Sequence, residues 1–144
     1  MRQMTKKAEN LLLFTWVQAF VATTGSLFYS EIMGYVPCEM CWYQRILMYP
    51  LVIIYGTAAI KKDISIALPG LILSVIGLPI SIYHYMLQKV PAMHELGGAC
   101  TGAVPCNAIY VKYFGYITIP FLAGVAFTVI IVLHLMLLKE QRRK

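Results

Sequence analysis

The sequence predicts an all-α membrane protein, a bundle of four transmembrane helices, and three observations support this prediction. Apolar residues make up 60% of the 144 residues and charged residues only 12%, about half the charged fraction of a typical soluble domain. Nearly all the cationic residues lie between or outside long apolar runs rather than within them. There are four such runs, at about residues 10–30, 42–60, 64–86 and 116–138.

Each run has close to the roughly 20 residues that a helix needs to cross the bilayer core. Open strands are excluded, because their edge amides and carbonyls would be unsatisfied in lipid. The connecting segments are short, so residues 1–144 are predicted to form a single membrane domain.

The distribution of Lys and Arg predicts the orientation of the helices. Nine of these residues lie in the N-terminal segment, the turn between the second and third runs, and the C-terminal tail, whereas the other two loops hold only Lys89 and Lys112. Cytoplasmic loops are the ones enriched in Lys and Arg. Both termini are therefore predicted to be cytoplasmic, in a multi-pass protein of the cell membrane. The net charge of +6 is accounted for in this way, and no nucleic-acid partner is expected.

The first run, at residues 10–30, follows basic residues and could be taken for a cleavable signal peptide. It is too long for a signal h-region and no clean small-residue cleavage site follows it, so an uncleaved first helix is predicted. This run and the third also carry small residues at steps of three and four, a pattern that lets helices approach closely in lipid. These stripes are Thr15, Ala19, Ala22 and Ser26, and Gly70, Ser74, Gly77 and Ser81.

All four cysteines fall in the two loops predicted to be extracytoplasmic, where disulfides can persist. The first pair, Cys38 and Cys41, lies three residues apart where the loop enters the second helix. At that spacing in a helical turn, the Cβ atoms are about 5–6 Å apart, which is compatible with a disulfide. Arg45, one turn further on, shares the face of Cys41. A thiolate at a helix N-terminus beside Arg has its pKa lowered from about 8.5 to roughly 3.5–7.5, so Cys41 is predicted to be the stable thiolate.

Two alternatives stand beside a redox role for this pair. One is a static disulfide, and the other is a zinc site completed by His94, the only histidine predicted to lie in an outer loop. The flanking Arg45 would repel a cation, so no metal is expected. For Arg45 itself, the alternative is a side chain that simply reaches the lipid headgroups.

The second pair, Cys100 and Cys106, lies in a loop rich in small residues. A disulfide in such a segment is open to attack by an incoming thiolate, and exposed disulfides are the labile ones. The residues alone are equally compatible with a disulfide that only stabilises the loop.

Two motifs together resemble the DsbB family of membrane thiol oxidases, and most closely its short Gram-positive, BdbC-like members. The first motif is Pro37-Cys38-x-x-Cys41-x-Tyr43-x-Arg45. The second, at the outer end of the third helix, is His84-x-Met86-Leu87-Gln88. The resemblance covers nearly the whole chain, although the segment between Cys100 and Cys106 is much shorter than in the Gram-negative member.

The resemblance implies a function and a role for each site residue. The chain would be a protein dithiol:quinone oxidoreductase that reoxidises an extracytoplasmic, DsbA-like thioredoxin-fold oxidase and passes the electrons to a membrane quinone, menaquinone or ubiquinone. Cys100 would form the mixed disulfide with this partner, with Cys106 as its resolving thiol. Quinone would reoxidise the Cys38–Cys41 pair, with Cys41 and Arg45 against the quinone head and His84 near it in proton handling. A histidine at the wet membrane interface is the alternative for His84.

Two rival functions are a non-enzymatic membrane protein with two stabilising disulfides and a quinone-linked reductase resembling vitamin K epoxide reductases. The first predicts a disulfide state that is independent of respiratory quinone. The second family places its motifs in a different order along the chain.

Overall fold

A computed structural model of the chain describes residues 4–97, 105–110 and 112–143. The helices of this described part are α1 (Lys6–Leu27), α2 (Glu39–Lys61), α3 (Leu68–Lys89), α4 (Pro91–Gly97) and α5 (Ile119–Arg142). A π-helical turn (Phe28–Ile32) continues α1, and a 3-10 turn (Ile64–Ala67) leads into α3. The predicted all-helical fold is confirmed. The short helix α4, between α3 and α5, was not predicted.

Local capping residues set where the helices begin and end. Thr5 caps α1, its hydroxyl accepting a hydrogen bond of 3.1 Å from the amide of Ala8. At the C-terminal end of α2, Lys62 adopts a left-handed conformation with φ of 53°. Asp63 then caps the 3-10 turn by accepting from the amide of Ser65 at 2.9 Å. These two adjacent signals make the sharp turn that sends α3 back along α2.

The four long helices pack in a ring, in which α1 and α3 each contact both α2 and α5. Helices α2 and α5 therefore lie across the diagonal. One polar contact crosses this diagonal, between the hydroxyl of Tyr55 and Nδ1 of His134, 2.8 Å apart. Both side chains are fully buried, so this contact links the two helices inside the bundle.

The stripe of small residues on α3 is buried along its whole length, and it makes room for aromatic rings. A Cβ added to Gly77 would lie 2.5 Å from Cζ of Phe127 on α5, and one added to Gly70 would lie 2.7 Å from Cε2 of Tyr55 on α2. On α1, Thr15 and Ala19 are buried too. The prediction that these stripes mark helix contacts is confirmed for the α3 stripe and for Thr15 and Ala19 of the α1 stripe. Ala22 and Ser26 of the α1 stripe are only half-buried.

The bundle has two chemically different ends. The end that holds Cys38, Cys41 and Cys106, where α2 and α5 begin, is called the cysteine end below. The opposite end carries basic residues of the start of α1, the α2–α3 turn and the end of α5, namely Lys6, Lys7, Lys61, Lys62, Lys139, Arg142 and Arg143. Two ion pairs lie there, Lys7 with Glu140 at 3.5 Å and Lys62 with Glu9 at 3.1 Å.

Three helical segments in the described residues are long and apolar enough to cross a membrane: Lys6–Ile32, Ile64–Lys89 and Ile119–Arg142. Helix α2 has 23 residues but is less apolar, because Gln44 and Arg45 lie in its first turns. The protein is therefore a helical membrane protein, while the fourth span and the cytoplasmic location of the termini stay predictions.

Candidate active site

The first cysteine pair lies at the start of α2. Cys38 is the N-cap residue, in extended conformation, and Cys41 lies in the first turn, as the sequence predicted. Their sulfur atoms are 3.2 Å apart and both thiols are free. Cys38 is only 4% exposed, whereas Cys41 is partly buried. The two sulfurs are thus held side by side, with Cys38 the more enclosed.

Of the two thiols in the reduced pair, Cys38 is the one whose pKa is lowered. The hydrogen bond between the two thiols lowers the pKa of Cys38 to about 4; burial opposes this effect and a smaller hydrogen bond with His84 adds to it. The prediction of a Cys41 thiolate rested on Arg45 and the helix N-terminus. It did not take into account the hydrogen bond between the two thiols.

His84, near the end of α3, lies between the two cysteine segments. Its Nε2 is 3.6 Å from the sulfur of Cys38 and 3.1 Å from the carbonyl oxygen of Cys106. A carbonyl only accepts, so Nε2 carries the proton in the neutral ring, and Nδ1 accepts from the amide of Gln44 at 2.9 Å. His84 is 1% exposed, which excludes a water-facing interfacial histidine.

The second cysteine pair is only partly within the described residues. Cys106 is fully buried and disulfide-bonded; Cys100 lies outside the described residues, so the Cys100–Cys106 pairing stays a prediction. Cys106 packs in one apolar cluster with Cys38 and Leu87. The described half of the second pair is therefore adjacent to the first pair.

A cavity of about 370 Å³ lies next to Cys41, between α1, the start of α2 and α5. Cys41 and Arg45 are in its wall, whereas His84 is not among its lining residues. The exposed side chains of Val21 and Val125 also line it, so it opens on the outer surface between α1 and α5. Its volume is within the range of small-molecule pockets, about 300–1,000 Å³.

Arg45 is held in place by α1 and by its own helix. Its Nη2 donates to the carbonyl of Ser26 at 3.3 Å, and its guanidinium carbon lies 5.4 Å from the centre of the Trp42 ring. The cation is thus fixed in the cavity wall. Because the guanidinium contacts the backbone of α1, Arg45 does not simply extend toward the lipid headgroups.

A stack of tyrosines covers the cavity at the cysteine end. The rings of Tyr35 and Tyr110 are 5.0 Å apart and nearly parallel, and Tyr29 stacks on Tyr35 at 6.1 Å. All three line the cavity. Burial, followed by the charges of Cys38 and Cys41, raises the pKa of Tyr110. The stack joins the segment before α2 to the segment before α5 over the cavity, next to the first cysteine pair.

Two features of the site were not predicted from the sequence. Gln44 is 5% exposed on a helix of a membrane bundle, and a buried amide in such a helix is itself a signal of a polar contact. The tyrosine stack was not distinguishable from the aromatic belt of a membrane protein, because its members are scattered over three segments.

Taken together, the helical bundle and the apposed cysteine segments define a membrane oxidoreductase of the thiol–disulfide class. Comparison with known proteins makes this specific. A family model described as "Disulfide bond formation protein DsbB" matches residues 8–137. The chain belongs to the DsbB family of disulfide bond formation proteins.

Curated relatives cover the chain from end to end. A "Probable disulfide formation protein" of Oceanobacillus iheyensis is 71% identical over 144 residues, covering 100% of this chain and 99% of the relative. The "Disulfide bond formation protein C" of Bacillus subtilis is 47% identical over 131 residues, covering 91% and 94%. A "Probable disulfide formation protein C" of Halalkalibacterium halodurans is 48% identical, covering 96% and 100%. No solved structure matches the chain.

Proposed function

We propose that this protein oxidises an extracytoplasmic, thioredoxin-fold dithiol protein and passes the electrons to a membrane quinone. One observation carries this proposal. A 370 Å³ cavity that opens on the outer surface of the bundle has Cys41 and Arg45 in its wall, so a redox sulfur and a fixed cation face one space. A planar quinone head fits this chemistry, because the guanidinium can donate hydrogen bonds to a carbonyl on which negative charge develops.

The electron path would begin at the second cysteine pair. A thiolate of the partner attacks Cys100, and Cys106 leaves with the electron pair of the broken disulfide. The partner's second thiol then displaces Cys100, which leaves the partner oxidised and Cys100 and Cys106 as a dithiol. The labile loop disulfide predicted for this segment suits such an attack.

Transfer to the first pair would run through Cys38. Cys106 packs beside Cys38, so its thiolate can attack that sulfur, and Cys41 leaves as the thiolate. Cys38, now bonded, carries no charge, and the negative charge moves to Cys41 in the cavity wall beside Arg45. This step reconciles the low pKa of Cys38 in the dithiol state with a Cys41 thiolate during turnover. Completion of the exchange gives a Cys100–Cys106 disulfide and a Cys38–Cys41 dithiol.

The last step would restore the Cys38–Cys41 disulfide while two electrons and two protons pass to the quinone, giving a quinol. Exchange among thiols alone is close to balanced and would stall. An acceptor about 60 mV above the pair supplies roughly 2.8 kcal/mol, a hundredfold bias per turnover. The exposed rim at Val21 and Val125 gives a lipid-soluble acceptor direct access to the cavity.

Reduction of quinone by the purified protein tests this function. Oxidised protein in detergent is mixed with menaquinone or ubiquinone and a dithiol thioredoxin-fold protein, and quinol formation is followed by absorbance. Catalytic turnover that is lost in Cys41→Ser supports the proposal. A disulfide state that responds to neither quinone nor the dithiol protein would instead indicate two static disulfides.

A trapping experiment tests the order of the two pairs. Cys106→Ala leaves Cys100 as a free thiol without its resolving mate. When this variant is mixed with the disulfide form of the partner, Cys100 attacks that disulfide and one partner sulfur leaves as a thiolate. A mixed disulfide between Cys100 and the partner should then accumulate and be visible on a non-reducing gel. Cys100→Ala should abolish the adduct, whereas Cys38→Ala should not. An adduct that requires Cys38 would reverse the order of the pairs.

A further inference from the structure

Three atoms of the kind that bind soft metals converge at the cysteine end. They are the sulfurs of Cys38 and Cys41 and a ring nitrogen of His84, and all lie within 4.8 Å of one another. The two sulfurs are 3.2 Å apart, and the Cys38 sulfur is 3.6 Å from Nε2 of His84. The histidine comes from α3 and is not His94, which the sequence offered as a zinc ligand and which is exposed on α4.

The spacing of these atoms is close to that of a tetrahedral zinc site. With Zn–S of about 2.3 Å and Zn–N of about 2.0–2.1 Å, two sulfurs lie about 3.8 Å apart and a sulfur and a nitrogen about 3.5 Å apart. The sulfur–nitrogen separation of 3.6 Å already matches. The two thiols, at 3.2 Å, need only a small opening.

A small void beside the cluster, with two unpaired polar atoms in its wall, supplies a second, independent observation. It has a volume of about 10 Å³ and is lined by Cys38, Cys41 and His84 together with Gln88 and Thr118. Gln88 Oε1 and Thr118 Oγ1 are buried and have no hydrogen-bond partner within the described residues. Such a void is about the size of one water molecule, so it can accept the fourth ligand of an ion, a water held by these two oxygens.

We propose that the reduced pair and His84 form a site for one soft divalent cation, Zn²⁺ or Cd²⁺. Two thiolates and a neutral imidazole balance its charge, and this donor set is one that such ions prefer. Nε2 exchanges its hydrogen bond with Cys106 for the metal, and Nδ1–H can donate to the oxygen of Gln44 once that amide turns over.

Arg45, whose charge argues against a cation in the sequence, acts on Cys41, but it lines the cavity, whereas His84 does not. The guanidinium donates to the carbonyl of Ser26 and stacks on Trp42, on the cavity side of α2. His84 and the void lie on the other side of the cysteine pair.

Occupancy of this site has a defined consequence, which rests on the proposed function. A bound ion ligates both sulfurs, so no bond can form between them and the two electrons stay on the pair. The cation is therefore a reversible inhibitor that acts on the dithiol state and has no site in the disulfide state.

Cadmium titration tests the site without any need for turnover. The full-length chain with Cys100→Ser and Cys106→Ser is reduced, freed of quinone and titrated with Cd²⁺, and thiolate–cadmium absorbance reports binding against a competing chelator. One ion should bind per chain, and oxidation of Cys38 and Cys41 should abolish binding. His84→Ala should weaken binding by more than about tenfold, while His94→Ala, the matched control, should not.

The outcomes separate the alternatives. Equal affinity of the two histidine variants would overturn the site and leave simple chelation by a dithiol; binding that persists after oxidation would overturn it too. If His84→Ala loses its helical circular dichroism, His84→Gln replaces it, because Gln keeps a buried polar side chain. His84→Gln should then weaken cadmium binding by more than about tenfold. In a separate arm, Zn²⁺ should inhibit quinone reduction by the unsubstituted protein, reversibly by chelator. Absence of turnover there would count against the proposed function and leave the binding result intact.

Discussion

Cys38 and His84 are 46 positions apart in the chain, yet the sulfur of Cys38 lies 3.6 Å from Nε2 of His84. The contact joins the N-cap of α2 to the last turns of α3 and places a hydrogen-bond donor beside the more buried thiol. Because the same nitrogen also lies 3.1 Å from the Cys106 carbonyl, one imidazole connects both cysteine segments. Cys38 is therefore the cysteine of the first pair that contacts His84, whereas Cys41 lines the cavity.

The first prediction concerns the ionisation of Cys38. A pKa lowered to about 4 means that the reduced protein holds one thiolate at neutral pH and loses it as the pH falls through about 4. Cys41→Ala removes the largest cause of the lowering, so the pKa of Cys38 should rise toward its ordinary value. Thiolate absorbance as a function of pH measures the pKa of Cys38 with Cys41 present and in Cys41→Ala. Both proteins carry Cys100→Ser and Cys106→Ser.

Cys38→Ala is the informative counterpart in this titration. If the low-pH thiolate survives in this variant, the charge belongs to Cys41, as the sequence predicted, and the hydrogen bond between the thiols does not set it.

The second prediction concerns topology. Cys38 and Cys106 are too buried to label well, so introduced cysteines are the better probes. Phe114→Cys, at a position 88% exposed in the second outer loop, should react with a membrane-impermeant thiol reagent on intact cells. Ser65→Cys, exposed beside the α2–α3 turn, should react only after the membrane is opened. The reverse pattern would place the redox cysteines in the cytoplasm and end the proposed electron path.

The limits of sequence-based prediction are clear in particular residues. Lipid requires internally satisfied backbones, so apolar length alone predicted the helices, and the three-and-four spacing predicted the buried face of α3. The position of Cys41 in the first helical turn also followed from local sequence. The contacts of His84 with Cys38, Gln44 and Cys106 did not, because they depend on the relative heights of α2 and α3 in the bundle.

The third prediction concerns helix packing. A Cβ on Gly77 would lie 2.5 Å from the ring of Phe127, whereas one on Gly124 would lie 3.5 Å from Cβ of Ser81, an ordinary contact. Gly77→Ala should therefore destabilise the bundle by about 1–3 kcal/mol, the usual cost of overpacking. Gly124→Ala makes the same chemical change on the facing helix and should be nearly neutral. Unfolding in mixed detergent micelles compares the two, and equal stabilities would mean that α3 and α5 pack less closely than described.

The fourth prediction concerns Arg45 and separates quinone chemistry from thiol exchange. Arg45→Gln keeps a similar length and some donor capacity but removes the charge that faces the cavity. A hydrogen bond to a charged group contributes about 1.5–3 kcal/mol, so the apparent KM for quinone should rise roughly tenfold to hundredfold. Arg45→Lys should fall between, because Lys keeps the charge and loses the planar fork. Thiol–disulfide exchange between the partner and the second pair should be unchanged in both variants.

Lys89→Gln is the matched control for Arg45→Gln. Lys89 is also a cation at the cysteine end that donates to a backbone carbonyl, that of Gly115 at 2.7 Å, but it does not line the cavity. Its replacement should leave the quinone dependence of turnover unaltered. If Arg45→Gln behaves like Lys89→Gln, the guanidinium serves only to fasten α2 to the carbonyl of Ser26. The acceptor would then have to bind outside the cavity between α1 and α5, and Cys41 would need another route for its electrons.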